Sequence, residues 1–372
     1  MQKENIQLSD ILISFCIPVY NQYVLVKECI NSITEYKGND IEVVISDDNS
    51  TEKIDELIRK IGDKRIHYYK NTVNIGHDRN ILKALERANG KYAFVLRTRD
   101  RIIASNIPRL LDIARLDCYS YITACALDQY GRVRLPYRER RYKKGKEALY
   151  IHFDLFIHPS GNMYRLRELN IEELTAFLDA HKVSKTGFIV HNMIRIALAE
   201  KGDFYTLSTP QWIYTYTLEQ NDRAVNHTEN KVSVYDPKLN LKRFQYEFEW
   251  AKQVVSSKNI YNTCLCLIAL YLNSLTWGFK LVNSDHRAQY HYRFNKVKFS
   301  MLAESRQMWK SCLEIYDECF RVSQKKYRSD LRRIFIKNYT VGAIKFIIKK
   351  ITVNTPIYNS ASAVYKKYIK RL

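Results

Sequence analysis

The segment Ile45-Ser46-Asp47-Asp48-Asn49-Ser50 decides the fold of this chain, because a mostly apolar run, residues 41–45, ends there in two carboxylates. The run predicts a buried strand, and the helix formers of residues 52–60 predict a helix after the polar tip. Ligands of open α/β sheets bind at the carboxyl ends of strands. Such a tip can accept hydrogen bonds from a ribose or a base, hold a cation, or face solvent as a capped turn.

The same alternation continues on both sides of this segment. Residues 11–16, 66–69 and 92–96 predict strands, and residues 23–36 and 81–88 have helical spacing. Pro18 has no N–H for a central ladder, so the first strand is expected to end near it. Asn89-Gly90 is typical of a helix C-cap. Strands that alternate with helices predict an α/β fold with a mostly parallel sheet and helices on both faces.

The composition indicates anionic partners. Lys and Arg number 60 against 39 Asp and Glu, a formal charge of +21. Membrane headgroups and phosphorylated substrates fit this excess, whereas no RNA-recognition or helix-turn-helix pattern supports nucleic acid. The eight cysteines form no C-x-x-C pair, which favours reduced thiols of a cytosolic protein over a disulfide framework. Residues 1–10 are polar and no apolar run reaches bilayer-spanning length, so neither a signal peptide nor a spanning segment is expected.

Four segments, taken in this order and spacing, resemble one family. They are Pro18-Val19-Tyr20-Asn21, Ser46-Asp47-Asp48-Asn49-Ser50, Asn74-Ile75-Gly76 and the charged string Arg97-Thr98-Arg99-Asp100. Together they resemble a family 2 inverting glycosyltransferase of the GT-A fold, closely over residues 10–115 and more loosely to about residue 215. The resemblance implies a GT-A catalytic domain, residues 1–235, that takes a nucleotide-sugar donor.

The resemblance also implies roles for individual donor-site residues. Asp48 matches the residue that holds the nucleotide base, and Asp47 precedes it in the same tip. Tyr20 and its neighbours Pro18 and Asn21 match the wall of the base pocket. All five are therefore predicted to bind the donor.

The family's second acidic motif, usually Asp-x-Asp, holds a divalent metal on the diphosphate. Here Thr98-Arg99-Asp100 keeps one carboxylate. We therefore predict a Mn²⁺ or Mg²⁺ site at Asp100 that is weak or dispensable. Arg97 and Arg99 are predicted to contact the diphosphate in partial place of the metal, with a solvent-facing orientation as the alternative.

Two later segments resemble the acceptor side of such a site. Ser160 and Gly161, followed by Tyr164-Arg165, match the segment beside the donor sugar and the acceptor. His191-Asn192 matches the start of the helix that carries the family's general base, an Asp. An amide cannot take a proton, so Asn192 leaves the base open. The alternatives are a shifted alignment, a base brought by the acceptor, or another residue of this region: His191, Asp154, Glu172, Glu173 or Asp179.

Residues 132–146 carry eight basic residues against one acid, Glu139. Pro136 and Gly145 favour a loop over a long helix. The segment is interpreted as a groove for an anionic acceptor, such as a lipid diphosphate or a phosphate-bearing glycan, or as a solvated excursion.

The remainder, residues 236–372, is predicted to be a helical C-terminal region. Its tail, 323–372, has thirteen basic residues and one acid, Asp330, interleaved with isoleucines. This pattern predicts a basic amphipathic helix on an anionic membrane face, or a basic helix packed on its own domain. The chain is thus expected to lie in the cytoplasm, peripherally on the inner face of the cell membrane.

The sequence as a whole predicts a glycosyltransferase that moves a sugar from a nucleotide diphosphate donor to a glycan or lipid-linked acceptor of a cell-surface polysaccharide. The alternative is a degenerate GT-A protein that binds a glycan or nucleotide without efficient catalysis. Thr98, Arg99 and Asn192 favour that alternative, whereas Asp48, Asp100 and Ser160-Gly161 favour the enzyme.

Overall fold

The structure, a computed structural model, describes residues 11–154, 158–184, 189–215 and 237–268, and the single residues Gln307, Lys310 and Glu314. The strands are β1 (Ile13–Val19), β2 (Ile41–Asp47), β3 (Ile66–Lys70), β4 (Tyr92–Val95), β5 (Arg101–Ile102), β6 (Tyr119–Asp128), β7 (Val133–Leu135), β8 (Arg140–Tyr142), β9 (Asn162–Arg165) and β10 (Asp203–Tyr214). The helices are α1 (Tyr23–Thr34), α2 (Ile54–Ile61), α3 (His77–Glu86), α4 (Ile107–Leu116), α5 (Lys146–Asp154), α6 (Ile171–Ala180), α7 (Val190–Ala199) and α8 (Pro237–Val254).

The strands form a single ten-stranded sheet in the order β3-β2-β1-β4-β9-β6-β10-β5, with β7 on β6 and β8 on β10. Strands β3, β2, β1 and β4 are parallel to one another, and β6 is parallel to β10. Strand β9 runs antiparallel between β4 and β6. The carboxyl ends of β1, β2 and β4 therefore meet at one edge, which we call the carboxyl edge.

Helices cover both faces of this sheet, because alternate residues of a strand point to opposite sides. Phe15 of β1 belongs to a buried cluster that contains Ile30 of α1 and Leu110 of α4. The next residue, Cys16, faces the other way, and its Sγ donates to the carbonyl of Ala84 in α3. The predicted α/β fold, a mostly parallel sheet with flanking helices, is confirmed.

Strand β1 runs one residue past Pro18. Pro18 pairs with Ser46 of β2, whereas the ladder with β4 stops at the Cys16–Val95 pair. The proline thus lies where β1 has a single paired neighbour, and its missing N–H interrupts no central ladder.

The predicted C-cap at Asn89-Gly90 is wrong. Helix α3 ends at Glu86, with Arg87 as its cap. Gly90 instead lies against β1, and its N–H donates to Ser14 Oγ at 2.8 Å. A Cβ at Gly90 would come within 2.7 Å of that oxygen, so glycine is required here for a close approach to the strand.

The interpretation of residues 132–146 as a loop is also wrong, because β7 and β8 occupy part of this segment. β7 pairs with β6 and β8 with β10, so main-chain pairing holds both strands on the sheet.

The chain divides into two compact units, residues 1–223 with 246–263, and residues 224–245 with 264–372. The predicted boundary at residue 235 and the predicted basic tail lie outside the described residues. Residues 237–254 and 260–268 are helical. Among the described helices, none is both long enough and apolar enough to cross a membrane.

Candidate active site

Three polar segments meet at the carboxyl edge because the strands that precede them are parallel neighbours. The residues after β1 contact the acidic tip after β2, since the N–H of Asn21 donates to Ser50 Oγ at 2.7 Å. They also contact the charged string after β4, since Thr98 Oγ1 donates to Gln22 Oε1 at 2.6 Å. The structure therefore brings together the predicted donor-site residues of all three segments.

Asp47 shapes the acidic tip from within. It is fully buried, and its Oδ1 accepts from the N–H and the Oγ of Ser50 at 2.8 and 2.5 Å. Its Oδ2 accepts from the hydroxyl of Tyr68 at 2.6 Å. Burial, and next this hydrogen bond, raise the pKa of Tyr68. Asp47 thus supports the loop that presents Asp48.

Asp48 ties the tip to the Asn74-Ile75-Gly76 turn. Its Oδ1 accepts from the N–H of Ile75 at 2.8 Å, and its Oδ2 accepts from the N–H of Gly76 at 2.9 Å. The side chain of Asn71 donates to the same carboxylate at 3.2 Å. A carboxylate has about four acceptor positions, so one remains for a donor N–H of a nucleobase. That base contact stays a prediction.

Asn21 holds the loop after β1 in place. It adopts a left-handed conformation with a φ of 57°, and its Oδ1 accepts from the N–H groups of Thr51 and Glu52 at 2.9 and 3.3 Å. Tyr20 beside it is half exposed, at 51%. An exposed ring next to the acidic tip suits the predicted pocket wall, and the roles of Tyr20, Asn21 and Pro18 toward a donor stay predictions.

A buried polar network beneath the tip was not anticipated from the sequence. Asn80 of α3 donates to the carbonyl of Ser46 at 2.9 Å and accepts from the hydroxyl of Ser46 at 2.7 Å. Arg87 donates to Ser46 Oγ at 2.8 Å and to Asn71 Oδ1 at 3.0 Å. The available signal was an Asn on the apolar face of a helix, where an amide needs partners when it is buried.

Asp100, the last residue of the charged string, is fully buried. Its Oδ2 accepts from Ser160 Oγ at 2.5 Å, and its Oδ1 accepts from the N–H of Thr215 at 3.2 Å. Ser160 Oγ also accepts from the N–H of Arg97 at 3.0 Å, so one serine joins both ends of the string. Burial raises the pKa of Asp100, against the lowering effect of Arg99 and Arg97.

Gly161 follows Ser160 with a φ of +83°, and a Cβ there would lie 2.1 Å from Trp212 Nε1. Glycine is thus required on two grounds, backbone conformation and space. The structure places Ser160 beside Asp100, and the predicted roles of Ser160 and Gly161 beside the donor sugar and the acceptor stay predictions. Arg165 does not lie beside Asp100. Because β9 runs antiparallel to β4, Arg165 pairs with Tyr92 at the start of β4, and there it forms ion pairs with Asp117 and Glu168.

The two arginines of the string lie close to each other. Burial and the neighbouring Arg99 lower the pKa of Arg97 to about 10. The guanidinium of Arg99 lies 5.7 Å from the ring centre of Tyr214, and that of Arg134 on β7 lies 5.8 Å from the same ring. The sequence showed Arg134 as one of many basic residues, and no local signal distinguished it or Tyr214.

His158 completes this region. It is 6% exposed, its ring stacks on Trp212 at 5.0 Å, and it meets Tyr214 edge-on at 4.9 Å. Its Nδ1 accepts from the N–H of Ser160 at 3.1 Å. Burial, and then Arg97 and Arg99, hold the pKa of His158 well below its ordinary range. The ring is therefore neutral at pH 7.

The predicted base position lies in the first turn of α7. His191 Nδ1 lies 2.9 Å from the hydroxyl of Tyr164. Burial, and then His77, Arg195 and Arg97, lower its pKa well below the ordinary range, so His191 is neutral as well.

Asn192 is held on both sides. Its Nδ2 donates to Oε1 of the fully buried Glu247 at 2.7 Å, and its Oδ1 accepts from Arg195. Glu247 was not anticipated, because it lies far along the chain in α8.

The acidic alternatives differ in where the structure places them. Asp179 forms an ion pair with Arg79 at 2.6 Å. Glu173 accepts from the side chain of Asn170 at the N-terminus of α6, and its neighbour Glu172 is exposed. The side chain of Asp154 lies outside the described residues.

Within the described ranges, no group of three or more His, Cys, Asp or Glu side chains could surround a metal ion. Asp100 is the one carboxylate of its string, and both of its oxygens already accept hydrogen bonds. Its role as a metal ligand stays a prediction.

Part of the chain is similar to known proteins. The family model for glycosyl transferase family 2 matches residues 14–174. The abequosyltransferase RfbV of Salmonella typhimurium is 35% identical over 149 residues, 38% of this chain and 44% of the relative. The chain therefore spans less than half the length of that relative. A Campylobacter jejuni enzyme named GalNAc(5)-diNAcBac-PP-undecaprenol beta-1,3-glucosyltransferase is 23% identical over 222 residues, 55% of this chain and 71% of the relative.

Among solved structures, residues 1–349 of S. aureus TarS in complex with UDP-GlcNAc align at 13% identity with a TM-score of 0.48. The alignment covers 82% of this chain and 91% of that one. Residues 14–174, which carry the acidic tip, the charged string and the Ser160-Gly161 turn, thus match the model of glycosyl transferase family 2.

Proposed function

We propose that this chain transfers a sugar from a nucleotide diphosphate donor to an acceptor hydroxyl. The observation that carries the proposal is that Asp48 and the Arg97–Asp100 string follow β2 and β4, the two parallel strands that flank β1. A hydrogen-bond acceptor for the base and guanidinium groups for the diphosphate thus share one edge. The similarity to an abequosyltransferase supports glycosyl transfer.

The chemistry is an inverting single displacement. The acceptor oxygen attacks the anomeric carbon, the bond from that carbon to the diphosphate oxygen breaks, and the nucleoside diphosphate leaves with the electron pair. Arg97 and Arg99 stabilise the negative charge that develops on the leaving group. We propose His191 as the acceptor of this proton, because the amide of Asn192 cannot take it. Burial and the positive neighbours of His191 lower its pKa, which leaves the ring neutral but makes it a weak base.

The resemblance implies a divalent metal, and Asp100 is the residue that would contact it. When bound, such an ion would neutralise charge on the diphosphate. Asp100 is buried and satisfied, so we propose that a metal is dispensable here.

For the acceptor, we propose a lipid-linked glycan of a cell-surface polysaccharide, reached from the inner face of the cell membrane. The C. jejuni relative is named for an acceptor linked to undecaprenol. Residues 132–146 supply exposed cations, although Arg132 and Arg141 are already paired with Asp128 and Asp203.

A catalytically weak binding protein is the second candidate, and the capture of Asn192 between Arg195 and Glu247 favours it. A donor screen separates the two. The purified chain is assayed by thermal shift and by donor hydrolysis with UDP-, GDP-, CDP- and dTDP-sugars, with and without Mn²⁺. An enzyme binds and hydrolyses one donor class. Binding without hydrolysis supports the second candidate, and binding of no donor overturns both.

A further inference from the structure

Three groups from separate parts of the chain surround one aromatic ring at the carboxyl edge. The guanidinium groups of Arg99 and Arg134 lie 5.7 and 5.8 Å from the centre of the Tyr214 ring, and the centre of the His158 ring lies 4.9 Å from it. We call these four residues the Tyr214 cluster. Arg134 reaches the Tyr214 ring from β7. The pairing of β7 with β6 holds Arg134 in place, as a loop would not.

Among the described residues, two hydrogen-bond donors of this cluster have no acceptor. His158 Nδ1 accepts from the N–H of Ser160, so the neutral ring carries its proton on Nε2. In the part of the chain that the structure describes, His158 Nε2 and Arg99 Nε are buried without a hydrogen-bond partner. A buried donor without an acceptor is destabilising, because it has lost its hydrogen bond to water. The two donors therefore indicate a ligand with anionic oxygens.

Within the described residues the arginines form no direct ion pair, although the nearby carboxylate of Asp100 attracts Arg97 and Arg99. Over the described ranges, no salt bridge involves Arg97, Arg99 or Arg134. The one basic side chain there within ion-pair distance of Asp100 is His158, whose Nδ1 lies 3.8 Å from Asp100 Oδ2. Three guanidinium groups without a paired carboxylate leave a local excess of positive charge. A diphosphate is the ligand group that satisfies both this charge and the free donors.

A divalent metal fits the same place poorly. Mg²⁺ in nucleotide sites takes one or two carboxylates besides phosphate oxygens and water, so a metal here would depend on Asp100. This carboxylate is fully buried, and Ser160 Oγ and the N–H of Thr215 donate to its two oxygens. A dication would also lie beside Arg97 and Arg99 and be repelled by them.

We propose that the Tyr214 cluster, together with Arg97, binds the donor diphosphate directly and replaces the divalent metal. This inference rests on the proposed function only in taking the ligand to be a nucleoside diphosphate. Arg99 and Arg134 contact phosphate oxygens from two sides, and Nε2–H of His158 donates to a third position.

The test measures binding by calorimetry to the full chain. The probes are UDP, GDP, CDP and dTDP, the matching nucleosides, and inorganic pyrophosphate, each in EDTA and in Mn²⁺. The variants are Arg99→Gln and Arg134→Gln. Arg115→Gln is the matched control, because this exposed arginine of α4 pairs with Asp40 and Asp112 away from the cluster.

We expect EDTA to change the affinity of the wild type for the bound nucleoside diphosphate less than about twofold. Because each arginine contributes a charge-assisted hydrogen bond, Arg99→Gln and Arg134→Gln should each weaken diphosphate and pyrophosphate binding about tenfold or more. Nucleoside binding should not change, and Arg115→Gln should bind like the wild type. Arg134 is exposed, so its variant remains informative if Arg99→Gln fails to fold.

The other outcomes separate this inference from the proposed function. Loss of nucleoside diphosphate binding in EDTA, with recovery in Mn²⁺, overturns the metal-free site and leaves the glycosyltransferase proposal standing. Equal losses for nucleoside and diphosphate overturn the arginine contacts. Arginine-dependent binding of pyrophosphate in EDTA, without preference for any nucleotide, supports the cluster and counts against the proposed function. Binding of no probe overturns both.

Discussion

The side chain of Asn192 donates to the buried carboxylate of Glu247 at 2.7 Å, and so joins the first turn of α7 to α8. Its other end accepts from Arg195, which is 4% exposed. An amide can donate to a carboxylate and accept from a guanidinium at once, and a carboxylate cannot. An Asp at residue 192 would instead place a second carboxylate against Glu247, so the amide suits this position.

Asn192→Asp should lower the free energy of unfolding at pH 7 by about 1–3 kcal/mol, because it sets two carboxylates in contact inside the protein. This loss of unfolding free energy should be smaller at pH 5, where the carboxylates of residues 192 and 247 share a proton. Urea denaturation at both pH values measures it. Adding Glu247→Gln restores a donor–acceptor pair and should recover most of the stability. An Asn192→Asp protein as stable as the wild type at pH 7 would show that Glu247 does not constrain this position.

Asp48→Ala should abolish nucleotide binding and also lower the free energy of unfolding by about 1–3 kcal/mol, because the N–H groups of Ile75 and Gly76 lose their acceptor. Calorimetry with nucleotides and thermal unfolding measure the two effects. Asp55→Ala, at an exposed carboxylate paired with Arg59, is the control and should bind normally. Undiminished nucleotide binding by Asp48→Ala would refute the donor assignment.

Gly161→Ala and Gly131→Ala separate packing from backbone strain. Both glycines have positive φ, but a Cβ at Gly161 would clash with Trp212, whereas nothing lies within 4 Å of one at Gly131. Gly131→Ala should cost about 1 kcal/mol of unfolding free energy. Gly161→Ala should cost several kcal/mol and reduce donor binding, because it displaces Ser160. Similar melting temperatures for the two variants would contradict the clash.

Stability should fall as the pH drops below the ordinary histidine pKa of 6.5, because His158 and His191 have lowered pKa values in the folded chain. The unfolded chain then binds more protons than the folded one, so acid favours unfolding by up to about 1.4 kcal/mol per pH unit for each histidine. Unfolding free energies from pH 8 to pH 5 test this. His158→Gln with His191→Gln should flatten the profile, and an unchanged slope would show that other groups cause it.

The tail, 323–372, should bring the chain to anionic vesicles. Each Lys or Arg near such a surface contributes about 1 kcal/mol, and the effect fades within a Debye length. Insertion of apolar residues such as Ile347 and Ile348 would add a part that salt does not weaken. Vesicle co-sedimentation should therefore fall but not vanish as salt rises. Removing the tail should release the protein from the vesicles and leave donor hydrolysis unchanged. If the full chain does not bind the vesicles at low salt, the tail is a basic helix packed on its own domain.

Much of the fold could be predicted from the sequence because its signals are local. Apolar runs of strand length that end in polar tips located β1, β2, β3 and β4 to within about three residues. Parallel pairing then required their carboxyl ends to meet, which brought the acidic tip and the charged string to one edge. Gly90 was misread because a C-cap and a close strand approach both require glycine, and the neighbouring residues do not distinguish them.

The candidate site divides along the same line. The sequence by itself determined that carboxylates, arginines and a Ser-Gly turn follow successive strands, since residue type and periodicity are properties of short segments. Only the tertiary structure decided that Ser160 binds Asp100 across 60 residues of chain, that Asn192 binds Glu247 across 55, and that Arg134 reaches Tyr214. Strand direction and long-range side-chain pairing depend on how distant segments pack, and no local pattern records that choice.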